Sequence, residues 1–258
     1  IEGPACDLAG NIFAVNFKAQ HTIGRTTPDG ASEVFVTLPD KSIGNGIRFD
    51  RAGKMYVADY TGHNVLRIDP STRKIEVFAH EPRMNQPNDL AIAPNGTLFA
   101  SDPNWKEKTG QLWRIDTDGT VTRLAENMGT TNGIEVSPNG KKLYVNESVQ
   151  RNVWVFDIQL DGSLANKTLL KKFPDHGFDH AFSMEALYYA DDLELALEEL
   201  HRVLRPGGTL TVCMDFFVEN PHCHDWPDKM GIPMTLLTEA DWTKALARSG
   251  FSDISTTR

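Results

Sequence analysis

The sequence predicts a mainly β chain with an α/β C-terminal segment, its first two-thirds built as a partial β-propeller of about four blades. Three observations carry this. Gly10, Gly53, Gly96 and Gly140 recur 43, 43 and 44 residues apart in similar surroundings. No long helical pattern interrupts residues 1–175. From Asp191 onward the β pattern gives way to helical periodicity.

The repeat is read first, because a fixed period near 40 residues decides the architecture. Gly10-Asn11-Ile12-Phe13-Ala14-Val15, Gly53-Lys54-Met55-Tyr56-Val57, Gly96-Thr97-Leu98-Phe99-Ala100 and Gly140-Lys141-Lys142-Leu143-Tyr144-Val145 share one plan. Each glycine follows Ala9, Ala52, Asn95 or Asn139 and is expected at positive φ in a hairpin turn. A β-rich strand comes next. A further strand then ends in aspartate in three repeats, at Asp69, Asp116 and Asp157, before turns such as Thr117-Asp118-Gly119 and Leu160-Asp161-Gly162. Four short strands per period is the pattern of a propeller blade.

The helical part begins with Leu193, Ala196, Leu197, Leu200, Val203 and Leu204 on one face. Arg202 and Arg205 suit the C-terminal end of its dipole, and Pro206-Gly207-Gly208 stop it. Thr209–Met214 reads as a buried strand of the parallel type. Thr238-Glu239-Ala240-Asp241 predicts a capping box for a helix through Trp242, Ala245 and Leu246, with Gly250 as its cap and a last strand from Phe251. Strand and helix alternate, as in a partial Rossmann-like segment. The organisation expected is 1–179 for the blades and 180–258 for the α/β segment.

Composition sets the class of partner. The chain has 258 residues, 40% of them hydrophobic, and a net charge of −9 with pI near 5.4. That balance disfavours nucleic acid and anionic lipid and suits a soluble enzyme or a cation binder. No apolar run reaches membrane-spanning length. Cys6, Cys213 and Cys223 are odd in number, which points to free thiols in a reducing, cytoplasmic compartment.

Eight residues before each turn glycine stand Glu2, Asn45, Asn88 and Asn132, each opening a blade's first strand. In a propeller that strand lines the channel, so their oxygens converge, as a hard cation such as calcium requires. Asn before Gly is also simply a good turn former, and that alternative stays open.

Glu2-Gly3-Pro4, Asn88-Asp89 and Asn132-Gly133 resemble the senescence-marker-protein/gluconolactonase family of regucalcin-like lactonases over roughly residues 1–179. The resemblance implies a six-bladed type of propeller, one divalent metal, often calcium with zinc or manganese as alternatives, and a small-molecule lactone substrate. It implies Glu2, Asn132 and Asp179 as metal ligands, Asn88 and Asn45 near substrate, and Asp179 as general base toward water. Asp179 departs from the family in being followed by His180-Ala181 rather than Gly-Met.

Phe178–Glu185, Leu200–Gly208 and Leu246–Phe251 resemble class I S-adenosylmethionine-dependent methyltransferases. The glycine-rich loop that cradles the cofactor in that family is missing from the sequence, so S-adenosylmethionine is not expected to bind. Phe178-Asp179 fits both patterns, marking a fusion seam. Four blades of a six-bladed type leave apolar faces open, which docking of the α/β segment or a homo-oligomer would cover. A fusion with no catalytic activity is the alternative to a lactonase, and a methyltransferase fragment is a third reading.

Smaller signals have structural readings. His222-Cys223-His224-Asp225 reads as a solvated loop rather than a zinc site. Asp175-His176 lacks a nucleophile elbow. Trp105 and Trp154 read as packing residues, and Lys106-Glu107-Lys108 as an exposed hairpin tip.

Overall fold

The computed structural model describes residues 2–16, 18–39, 41–174 and 177–257, and leaves the side chain of Glu2 outside the description. The chain divides into two compact units, Ile1–Lys172 and Phe173–Arg258.

In the first unit the described residues form four antiparallel sheets, each four strands taken in sequence order. The first sheet holds β1 (Glu2–Cys6), β2 (Ile12–Val15), β3 (Thr22–Thr26) and β4 (Ser32–Thr37). The second holds β5 (Gly44–Phe49), β6 (Met55–Asp59), β7 (Asn64–Ile68) and β8 (Ile75–His80). The third holds β9 (Leu90–Ile92), β10 (Leu98–Asn104), β11 (Thr109–Ile115) and β12 (Val121–Met128). The fourth holds β13 (Thr131–Val136), β14 (Lys142–Glu147), β15 (Asn152–Ile158) and β16 (Leu164–Lys172). First strands of successive sheets are neighbours, β1 beside β5, β5 beside β9, and β9 beside β13.

The repeat glycines do what the spacing requires. Gly10, Gly53, Gly96 and Gly140 have φ of +83°, +79°, +90° and +70°. Each amide closes its turn on a carbonyl three residues back, as Gly53 does on Asp50 at 3.0 Å. Asp50 then secures the turn by accepting from the amides of Ala52 and Lys54 at 2.9 and 2.8 Å.

Alternation along the strands builds three cores between the four sheets. Phe13, Val15, Ile23 and Phe35 pack against Ile47, Met55, Val57 and Leu66. Tyr56, Ala58 and Val65 point the other way, onto Leu98, Ala100 and Trp113. Phe99 and Leu112 meet Ile134, Leu143, Val145 and Phe156. Strand β6 is therefore buried at all five positions, which explains its continuous apolar run. Each such aliphatic or aromatic side chain contributes roughly 1.5–3 kcal/mol. Trp154 packs at the edge of the third core, whereas Trp105 is exposed beside the predicted Lys106-Glu107-Lys108 hairpin tip.

The second unit contains a parallel pair, β17 (Phe178–Met184) with β18 (Leu204–Cys213), joined through α1 (Leu193–Val203). Asp192 caps α1 by accepting from the Leu195 amide at 3.0 Å. After a short helix α2 (Trp226–Met230), Thr238 caps α3 (Glu239–Arg248) by accepting from the Asp241 amide at 3.0 Å. Tyr188, Phe216, Cys223 and Trp242 form this unit's small core.

Two expectations are corrected here. Phe251 opens no strand among the described residues; its ring packs edge-on against His201 of α1, 5.2 Å between centroids, so the segment serves helix packing instead of a ladder. The strand expected to be buried from Thr209 is assigned from Leu204, which already pairs with Phe178 across the bend at Gly207. None of Thr209–Cys213 is buried, because the described sheet has only two strands.

Two outcomes follow. A Cβ on Gly53 meets nothing within 4 Å, so Gly53→Ala isolates the backbone cost of positive φ; urea unfolding of the full chain is expected to show a loss of about 1–2 kcal/mol. Thr238→Ala removes the α3 cap and is expected to cost about 1 kcal/mol, read as loss of the second unit's protection in hydrogen exchange.

Candidate functional site

The phase residues Glu2, Asn45, Asn88 and Asn132 all stand at or just before the start of an inner strand, on β1, on β5, two residues ahead of β9 and on β13. Gly46 and Ser101 link the backbones around Asn45, Asn88 and Asn132. The Gly46 amide donates to the Asn88 carbonyl at 2.7 Å, and the Asn88 amide donates to the Ser101 carbonyl at 2.9 Å. The Ser101 hydroxyl accepts from the Asp89 amide at 3.0 Å and donates to the Asn132 carbonyl. These bonds place Asn45, Asn88 and Asn132 at the starts of three adjacent inner strands.

The side chains differ in how they are held. Asn132 Nδ2 donates to Ser148 Oγ at 3.0 Å, which fixes the amide plane and leaves Oδ1 free among the described residues. Asn88 is only 7% exposed, yet its side-chain amide has no hydrogen-bond partner among the described residues. Asn45 is half-buried and likewise unpaired there. Amide oxygens of this kind suit a hard divalent cation.

The remaining expected residues stand as follows. Glu2 opens β1 opposite Val15, and its side chain lies outside the described residues. Asp179 lies on β17 in the second unit, where its carboxylate pairs with Arg205 Nε at 2.7 Å and stays largely exposed. Asp175 and His176 lie outside the described residues. In the His222–Asp225 loop, Cys223 is buried in the second unit's core and His224 Nε2 bonds the Val218 carbonyl at 2.8 Å. Among the described residues no group of three His, Cys, Asp or Glu side chains gathers in one place.

A set of buried acids was missed from sequence. Asp59, Asp102 and Glu147, at the ends of β6, near the end of β10 and at the end of β14, are at most 3% exposed. Asp102 accepts from the amides of Asn85 (2.8 Å) and Gln86 (2.6 Å) and from Trp113 Nε1 (2.9 Å). Glu147 accepts from the Gly129 amide at 2.6 Å and Asn152 Nδ2 at 2.8 Å, and Asp59 from Ser42 Oγ at 2.9 Å and Asn64 Nδ2 at 2.7 Å. Each carboxylate ties the loop entering its sheet, which positions the phase asparagine that follows. The signal was present in the sequence as an acid near the end of the apolar second strand in the second, third and fourth sheets. Burial raises the Asp102 carboxyl above its ordinary 3.8, with the backbone donors opposing.

The SMP-30/Gluconolactonase/LRE-like region model matches residues 2–184. The chain belongs to that family. It is similar to a gluconolactonase of Zymomonas mobilis, 26% identical over 209 residues, covering 70% of this chain and 59% of that one. Among solved structures it is similar to a gluconolactonase of Xanthomonas campestris (TM-score 0.57, 21% identity, 68% of this chain and 63% of that one). It is also similar to regucalcin of Agrobacterium tumefaciens, described as a calcium-binding protein (TM-score 0.55, 20% identity, 65% and 58%). The sheets thus share the gluconolactonase fold, and the chain spans about three-fifths of the length of these relatives. A short segment is similar to methyltransferases, 42% identical over 52 residues to an O-methyltransferase of Aspergillus sclerotiorum (19% of this chain, 20% of that one).

Replacing Asp102 by Asn turns an amide NH₂ toward N–H donors and is expected to cost about 1–3 kcal/mol. The folded carboxyl titrates above its ordinary value, so its favourable contribution is present below about pH 3.8 and is lost as pH rises through the folded value. Urea unfolding at stepped pH should therefore show Asp102→Asn gaining stability relative to the parent across that interval.

Proposed function

We propose that this chain is a metal-dependent hydrolase of lactone type, acting on a small sugar lactone, with its site on the inner strands of the first unit. The observation that carries the reading is the Asn88 amide, unpaired among the described residues, leading into the strand beside that of Asn132, whose amide plane Ser148 fixes. Membership of the gluconolactonase family and the likeness to a protein described as calcium-binding support it.

In this reading Asn132 presents Oδ1 to the cation, with Glu2 adding the carboxylate that the repeat phase supplies at the same position. Calcium, or zinc or manganese in its place, would act as a Lewis acid on the ester carbonyl. Asn88 and Asn45 supply amide donors and acceptors to the ring hydroxyls, with little reorganisation because the backbones beside them are locked. Hydrolysis adds water across the ring C–O bond and releases the hydroxy acid. The family resemblance implies Asp179 as the base toward that water; the residue lies on β17 of the second unit. Its pairing with Arg205 is the observation that favours the alternative reading, a fusion without catalytic activity. The partners proposed are a lactone and further copies of the chain, in a cytoplasmic setting. No described helix is long and apolar enough to cross a membrane.

Release of acid from an aldonolactone, followed with a pH indicator in the presence of calcium, tests the reading. Turnover is expected, with Asn132→Ala and Asn88→Ala each lowering kcat/KM about a hundredfold, and with chelation abolishing it. Asp179→Ala is expected to lower kcat with calcium affinity reduced. Absence of turnover with calcium, zinc and manganese alike would establish the inactive fusion instead.

A further inference from the structure

We propose that Asp89 is a positioning residue, a single carboxylate that fixes the inner strands of three successive sheets and so sets the spacing of Asn45, Asn88 and Asn132. The inference rests on the lactone-site reading only for what the cluster binds.

The position after each phase residue is Gly3, Gly46, Asp89 and Gly133. Three sheets carry glycine there and the third carries a charged side chain. The Asp89 side chain reaches in both directions. Toward the second sheet, Oδ1 and Oδ2 take Arg48 Nη2 at 3.0 and 3.1 Å, three residues beyond Asn45 on β5. Toward the fourth sheet, Oδ2 accepts from the Ile134 amide at 3.2 Å, two residues beyond Asn132 on β13. Within its own sheet, Oδ1 accepts from the Leu90 amide at 2.9 Å. The glycine at 46 is the complement of this arrangement, since a Cβ there would lie 2.6 Å from Asp89 Oδ1.

The energetics favour a positioning role. The Asp89 and Arg48 side chains are 18% and 26% exposed, so their attraction is only partly screened, and each bond is charge-assisted. Arg48 also donates to its own strand, from Nη1 to the Ile47 carbonyl at 2.9 Å, which fixes the guanidinium. With Arg48 neutralising it and amides on two further strands occupying it, the carboxylate is committed to protein partners rather than to a ligand. A neutral amide at 89 could take the Ile134 proton but would lose the charge that holds β5.

The test uses the full chain labelled with ¹⁵N, reading the side-chain NH₂ signals of Asn45, Asn88 and Asn132, each assigned by its loss in the Asn→Asp variant. Asp89→Asn and Arg48→Met are both expected to shift the Asn45 and Asn132 signals, which belong to sheets other than that of Asp89. The signals of Asn104 and Asn139 should stay in place. The double variant should be no further displaced than either single one, because both remove the same link. In the same samples calcium affinity is expected to weaken about tenfold, the size of effect that supporting residues have on metal ligands. Unmoved Asn45 and Asn132 signals in a folded variant would overturn the proposal, whatever happens to thermal stability. If Asp89→Asn does not fold, Arg48→Met decides the question, since it leaves the Ile134 and Leu90 bonds intact. If the parent protein binds no calcium, the lactone-site reading fails while the amide signals still decide the role of Asp89.

Discussion

At the centre of the first unit, backbones of neighbouring sheets approach more closely than ordinary side chains permit. The Gly46 amide reaches the Asn88 carbonyl at 2.7 Å, and a Cβ on Gly3 would stand 2.0 Å from the Asn45 carbonyl oxygen. With the strands this close, positions 3 and 46 must be glycine, and position 89 itself forms a link. The same closeness holds Asn45, Asn88 and Asn132 on adjacent inner strands, and it leaves the outer strands free to vary. Strand β16, in the outermost position, is exposed along most of its length and carries three lysines without harm to any core.

Much of this was legible in the sequence, for a definite reason. Turn glycines need positive φ, and that need is local, so their period survives in the residues themselves. The phase of Asn45, Asn88 and Asn132 could be counted from it. Helices α1 and α3 were equally readable, because Asp192 and Thr238 act within one turn of chain.

What could not be read depends on partners far apart in sequence. The carboxylate of Asp89 finds Arg48 and Ile134 at separations of 41 and 45 residues. Its departure from the glycine pattern was visible, but not its consequence. Asp59, Asp102 and Glu147 look like ordinary strand-ending acids until their burial is known. The last segment misled for the opposite reason. Phe251 has the hydrophobicity of a strand residue, and only the presence of His201 beside it shows that packing against α1 takes precedence.

The acids at the ends of the second strands have a consequence for how such a protein can change over generations. Asp59, Asp102 and Glu147 each bind groups of their own sheet and of the loop leading into it. A sheet with its entry loop is thus nearly self-sufficient and can be copied, or joined to foreign sequence, with its internal bonds intact. Cross-sheet bonds limit this, as where Arg73 of the second sheet binds Glu33 and the Phe35 carbonyl of the first, and the third sheet is bound on both sides. Through Asp89 it requires an arginine from the sheet before and an amide from the sheet after, so duplication or exchange of that module alone would strand a charge. Exchange of one module thus leaves its own turns and entry loop bonded and its cross-sheet partners to be found anew.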